Sequence, residues 1–287
     1  MALLKRISLV HSQQRGFTLL ELVTVLVLLG VMSVGISSFI GLATQSFVNV
    51  SERDELISSA RFSVERLNRE LRHALPNSVR VGNRTIAGSE LQCIEFVPIK
   101  ASTVYIDIPV APESVSNTLS VIPFINDDGT AYTCPATCTD SVSVYPLNTS
   151  DIYSDQTDNI GKVFGLNSIA SISANEWQLT LDGSVIFDAD SPTQRLFTIG
   201  APVSYCLEAN NLYRYENYDY SISQVVPPIS TKQLMAESLA DISLAELPFK
   251  VSAATLQRNA LVNVSLEFLN NDESIVFNHE IHIENVP

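Results

Sequence analysis

The chain has 287 residues, 46% of them hydrophobic, and 31 acidic side chains against 17 basic ones give a formal charge of −14. That length holds one or two domains with a sizeable core. The acidic excess repels phosphate, which argues against nucleic acid as a partner.

The charge is uneven. Residues 1–16 carry Lys5, Arg6 and Arg15 and no acid; the remainder keeps 14 basic residues against all 31 acidic ones. Residues 17–43 are then almost wholly apolar, with one charge at Glu21. At about 1.5 Å per residue, such a helix spans a bilayer core of about 30 Å. Basic residues before it place the leader in the cytoplasm and everything after residue 43 across the membrane. A secretory signal peptide ends in small residues after its apolar stretch. Here the leader ends before that stretch, in Gln14-Arg15-Gly16. An acid inside an apolar helix costs about 3 kcal/mol on insertion scales, so Glu21 reads as functional.

Gly16-Phe17-Thr18-Leu19-Leu20-Glu21 resembles the processing signature of class III, type IV pilin-like prepilins. The resemblance implies cleavage by prepilin peptidase after Gly16 and N-methylation of the new terminus at Phe17. It implies that Glu21 meets the terminal amine of a neighbouring subunit, as a buried acid needs a buried cation. The implied partners are other major and minor pilins, met through the N-terminal helix, and an inner-membrane assembly platform. Many major pilins carry a proline about twenty residues into the mature helix. Here that stretch reads Val34-Gly35-Ile36-Ser37-Ser38-Phe39, which points to a minor subunit. Gly30, Gly35 and Gly41 are expected to loosen the helix instead.

Beyond the apolar run, Leu56, Ala60, Val64, Leu67, Leu71 and Ala74 recur at steps of three or four. They form one stripe of an amphipathic helix. Its other faces are charged, and Glu65 with Arg69 has the spacing of a helical ion pair. Pro76 stops the helix near Leu75. The arginine-rich stretch reads as a solvated face, with a docking surface for acidic neighbouring heads as the sharper alternative.

After Pro76 short β-like runs alternate with Gly, Pro, Asn and Asp. Expected strands cover 91–99, 103–110, 177–187, 202–208, 212–215, 261–269 and 274–284, with turns at 209–211 and 270–273. Residues 148–167 read as a loop. The expected fold is α+β, a long helix against an antiparallel sheet. Its divisions are a cleaved leader 1–16, a helix 17–75 that is transmembrane in its first half, and a β-rich head 76–287. The whole is similar to the larger minor subunits, the J-type pseudopilins and W-type minor pilins. It is most similar to the O-type minor prepilins of mannose-sensitive haemagglutinin (MSHA) pili. That likeness rests on residues 59–67, 74–81 and 279–287. It implies priming or capping of a pilus, with a type II secretion pseudopilus or a tip adhesin as alternatives.

Cys93, Cys134, Cys138 and Cys206 form an even set in an exported head, for which three disulfide pairings exist. Cys134 and Cys138 are close enough to bridge locally, which leaves Cys93 and Cys206, both on expected strands. A zinc site would need two close pairs where there is one. His279 and His282 fall on opposite faces of a strand. Asp127-Asp128-Gly129 and Asp151, Asp155 and Asp158 do not follow a calcium-loop pattern and read as turns. No nucleophile elbow, phosphate loop or dinucleotide fingerprint occurs. The expectation is a non-enzyme without metal or cofactor.

Overall fold

The computed structural model describes residues 16–126, 129–135, 138–154, 159–243, 246–253, 259–270 and 273–283. The leader before Gly16, the acids Asp127, Asp128, Asp155 and Asp158, the turn residues Asn271 and Asp272, and residues 284–287 lie outside them. The chain divides into two compact units at the Asp54–Glu55 peptide.

Helix α1 spans Leu19–Arg72. It then gives way to a turn, three residues before the expected end. The Leu75 N–H donates to the Val97 carbonyl at 2.8 Å, and the His73 carbonyl accepts from Ile99 at 2.9 Å. Asn77, after Pro76, takes a positive φ of 64°. Fifteen strands and a short helix follow among the described residues. They are β1 (Arg80–Ile86), β2 (Ser89–Phe96), β3 (Ile99–Asp107), β4 (Ser116–Val121), β5 (Ser141–Ser143), α2 (Thr149–Ile152), β6 (Ile160–Gly161), β7 (Val163–Ser173) and β8 (Glu176–Phe187). Then come β9 (Arg195–Ile199), β10 (Val203–Glu208), β11 (Asn211–Glu216), β12 (Thr231–Ala236), β13 (Phe249–Ser252), β14 (Ala260–Asn270) and β15 (Glu273–Ile283).

The head holds three sheets where one was expected. The first runs β1-β2-β10-β11-β12, and the third is β13-β14-β15. Both pack on the second half of α1, where Leu56, Ala60, Val64, Leu67 and Leu71 share one core with Phe96, Tyr205, Val262 and Phe268. The three-to-four spacing turns these helix residues to one side, and each buried aliphatic side chain contributes about 1.5–3 kcal/mol. Gln92 joins the two sheets. Its buried amide donates to the Phe249 carbonyl at 3.0 Å and accepts from the Phe249 N–H at 2.8 Å. The β10–β11 hairpin turns through Ala209 and Asn210, both at positive φ, the pattern of a type I′ turn.

The second sheet is inserted between β2 and β10, which are themselves hydrogen-bonded neighbours. Its strands pair in the order β4-β3-β9-β5-β7-β8, and β8 pairs back to β4, which closes a ring of six. All these pairings are antiparallel, and β6 adds to β8 in parallel. Tyr105, Leu119, Val142, Phe164, Leu179 and Leu196 share the ring's own core. Closure leaves the ring strands without free edges. The expected loop at 148–167 is corrected here. Thr149–Ile152 is helical, and Val163 already belongs to β7. Asp151 accepts from the Leu147 and Asn148 N–H groups at 2.8 and 3.0 Å and from Lys162 at 3.2 Å, so its carboxylate is committed locally.

Arg80 ties the pieces together. It lies opposite Glu95 in the β1–β2 ladder and donates to both carboxylate oxygens at 3.1 Å. It also donates to the Ser221 and Ile222 carbonyls at 2.8 and 2.9 Å, and it sits 3.5 Å from the Tyr153 ring centroid. Tyr153 in turn donates to the Ser78 carbonyl at 2.9 Å. Gly82, beside Arg80, lets the 217–230 connection lie flat on β1, because a Cβ there would meet Gln224 and Val226 at 2.8 Å.

Burial raises the Glu95 carboxyl above its ordinary value, and the hydrogen bond and charge of Arg80 pull it back. A raised carboxyl favours folding below its unfolded pKa, and that contribution is lost as pH rises through the folded value. Arg80→Met removes the counterion and raises Glu95 further. The variant should lose about 3–5 kcal/mol at pH 7, and less at pH 4.5. Denaturant unfolding at the two pH values checks this, and an equal deficit at both would contradict it.

Cys93 and Cys206 face each other in the β2–β10 ladder and are bonded, 113 residues apart in sequence. Cys134 and Cys138 form the second bridge, four residues apart. The longer loop constrains the unfolded chain more, so Cys93→Ser/Cys206→Ser should cost about 2–5 kcal/mol and Cys134→Ser/Cys138→Ser less. Unfolding of the two double variants measures the difference.

Candidate functional site

Gly16, Phe17 and Thr18 precede the first turn of α1. The Thr18 hydroxyl accepts from the Glu21 N–H at 3.3 Å, and its carbonyl accepts from Leu22 at 3.1 Å. Thr18 is therefore the N-cap, and Glu21 falls at the third helical position. Thr-x-x-Glu is a capping-box spacing, legible in the sequence and missed there. A carboxylate in the first turn also suits the positive end of the helix dipole. The Glu21 side chain is exposed and has no hydrogen-bond or ion-pair partner among the described residues.

Every residue from 16 to 55 is exposed. Phe17, Leu19, Leu20, Val31, Val34 and Phe39 each expose about 70–80% of their surface. The helix continues unbroken through Gly30, Gly35 and Gly41, and an added Cβ at any of them would meet no other part of the protein within 4 Å. Several of its hydroxyls bond within the helix: Thr24 donates to the Glu21 carbonyl at 3.0 Å, Ser33 to that of Leu29 at 2.7 Å and Thr44 to that of Ile40 at 2.8 Å. Each such bond lowers the cost of placing that group in lipid. Among the described residues this is the one helix long and apolar enough to cross a membrane.

The expected sites in the head come out differently from one another. The β14–β15 register sets His279 opposite Val264 and His282 opposite Leu261, on opposite faces of β15. No group of three or more His, Cys, Asp or Glu poised to hold a metal occurs among the described residues. The expected Glu65–Arg69 ion pair is not formed. Instead Arg66 meets Glu70 at 3.0 Å, because Glu70 is held over the sheet by Arg214 at 2.9 Å.

A cavity of about 810 Å³ lies between the ring and the 217–222 segment, with Asp140, Asp182, Tyr218 and Tyr220 in its lining. Asp140 and Tyr220 are engaged structurally. Asp140 accepts from Lys100 at 2.5 Å and Tyr132 at 2.6 Å, and Tyr220 donates to the Gly200 carbonyl at 2.7 Å. Burial foremost, with Asp140, holds the Tyr132 hydroxyl well above its ordinary pKa. Such groups fix a wall, and none is paired as nucleophile and base.

Residues 11–37 match the prokaryotic N-terminal methylation motif. Neither the curated proteins nor the solved structures give a match. The motif, followed by an exposed apolar helix, supports a type IV pilin-like protein of the prepilin class. The motif implies processing by prepilin peptidase and assembly with other pilins, and proteins that carry it are structural rather than catalytic.

An apolar helix with no cover of its own needs lipid or neighbouring helices. Leu28→Arg with Val31→Arg, each adding about 2.5–3.5 kcal/mol to insertion, should release much of the chain from carbonate-washed membranes. Retention equal to wild type would count against a lipid-embedded segment.

Proposed function

We propose that this chain is a minor pilin that primes or caps a type IV pilus of the MSHA type. Before assembly it is held in the inner membrane by residues 17–43, with its head on the far side. The observation that carries the proposal is the uncovered apolar helix that begins at Leu19, just after Gly16-Phe17-Thr18 and inside the matched motif. Prepilin peptidase cuts after Gly16. The new amine at Phe17 is methylated, which keeps its positive charge. That amine and the Glu21 carboxylate of an adjacent subunit then set the register of the bundle. Glu21 is suited to this, because its carboxylate is exposed and unpaired among the described residues. In an apolar bundle an unpaired carboxylate is costly, so a register that brings a cation to it is favoured over its neighbours.

The head supports the tip position. The closed ring inserted between β2 and β10 adds bulk beyond the helix and its two sheets. A bulky head is tolerated best where no further subunit stacks above it. A subunit of a type II secretion pseudopilus would share the helix and its processing, and antibody labelling confined to pilus tips favours the first reading.

Mass spectrometry of the chain from membranes of peptidase-competent cells should show a methylated Phe17 start, lost when the peptidase is absent. An intact Met1 start would overturn the proposal. Glu21→Ala should leave cleavage intact and lower incorporation into filaments at least tenfold.

A further inference from the structure

The cavity between the ring and the 217–222 segment is walled partly by groups that the fold has not used. Ser141 is one of them. It is only 7% exposed, and its neighbour on β5, Val142, belongs to the ring's core. Side chains alternate along a strand, so Ser141 points the other way, into the cavity it lines. Its hydroxyl has no hydrogen-bond partner among the described residues. A buried hydroxyl left unpaired is costly, and a ligand that pairs with it recovers that cost.

Two lining carboxylates are also without a counterion. Asp182, on β8, is exposed and accepts one long bond, from the Asn167 amide at 3.4 Å. Gly165 on β7 makes room for it, because a Cβ there would collide with the Asp182 carboxylate. Asp219 is exposed and has no partner among the described residues. The third lining acid, Asp140, is already answered by Lys100 and Tyr132. Among the described residues no lysine or arginine lines the cavity. Tyr218 and Tyr220 do. Their hydroxyls are bonded to Ser204 at 2.6 Å and to the Gly200 carbonyl at 2.7 Å, so what they offer the cavity is ring surface.

We propose that this cavity binds an organic ammonium group, carried by a free alkyl amine or by a lysine side chain of another protein. An ammonium has three donors, no acceptor and a positive charge. The acceptors for it are Ser141 Oγ and the carboxylates of Asp182 and Asp219. Tyrosine rings attract a cation to their faces and cover the alkyl stem behind it. The same carboxylates repel carboxylate, phosphate and sulfate ligands. The volume of about 810 Å³ is in the range of small-molecule sites. The inference goes beyond the pilin reading and rests on none of its steps.

The test uses the full-length chain in an uncharged detergent. The probes are 1,5-diaminopentane and an end-blocked glycine peptide with one central lysine. Saturation-transfer NMR should show signal on the methylenes of at least one probe and none on 1,5-pentanediol, the neutral counterpart of the diamine. Signal on the diamine alone identifies a free amine as the source, and signal on the peptide a lysine side chain. Asp182→Asn/Asp219→Asn should lower the signal at least fivefold. That variant removes two of 31 acidic side chains, so general attraction to an acidic protein does not account for such a loss. Ser141→Ala should lower it at least twofold; it leaves the charge unchanged and decides the matter if the double variant fails to fold. Equal signal on the diol, a signal that the variants keep, or no signal on either probe would overturn the proposal.

Discussion

The β2–β10 ladder is the joint on which the head depends. Five consecutive pairs, from Phe96 with Val203 to Gln92 with Leu207, hold these strands together, and the Cys93–Cys206 bond crosses the same ladder. On its core side Ile94, Phe96, Val203, Tyr205 and Leu207 give α1 a surface to pack on. At its end the chain leaves at residue 97 and returns at residue 202, having built the whole ring in between. An excursion of about a hundred residues between adjacent strands carries a large closure entropy. A cross-link on the two strands that flank it removes much of that cost from folding.

The rest follows from how apolar surface is divided along one helix. Residues 56–71 bury their stripe in the head, so this half has a polar side and an apolar side. Residues 17–43 are apolar around the whole circumference, and an all-round apolar helix is stable only with all-round apolar surroundings. One half is therefore a structural strut and the other an insertion element. Glu21 is the single charge in that run.

Electrostatics in the head is local. Arg80 with Glu95, Lys162 with Asp151, and Arg214 with Glu70 each bury a charge against its counterion at a junction between elements. Such pairs add little net stability but penalise any packing that separates them. Of the side chains that line the cavity below the ring, Asp140, Tyr218 and Tyr220 are hydrogen-bonded within the head.

The sequence alone determined what depends on local pattern. An apolar run with one acid, a Gly-Phe junction and a three-to-four stripe specify a helix and its environment through residue type and spacing. The hairpins β10–β11 and β14–β15 were also legible, because Asn-rich turns and strict alternation fix register over a few residues. The count of four cysteines left three pairings, and the spacing of Cys134 and Cys138 pointed to a local bridge with Cys93 and Cys206 as the remaining pair. What only the tertiary structure decided was the partition into three sheets and the closure of the ring. β5 is three residues long, and β7 begins among residues that read as loop. Such segments become strands only because distant neighbours supply their hydrogen bonds: Val142 pairs with Phe164 on one side and Thr198 on the other. No local pattern records a partner that far along the chain.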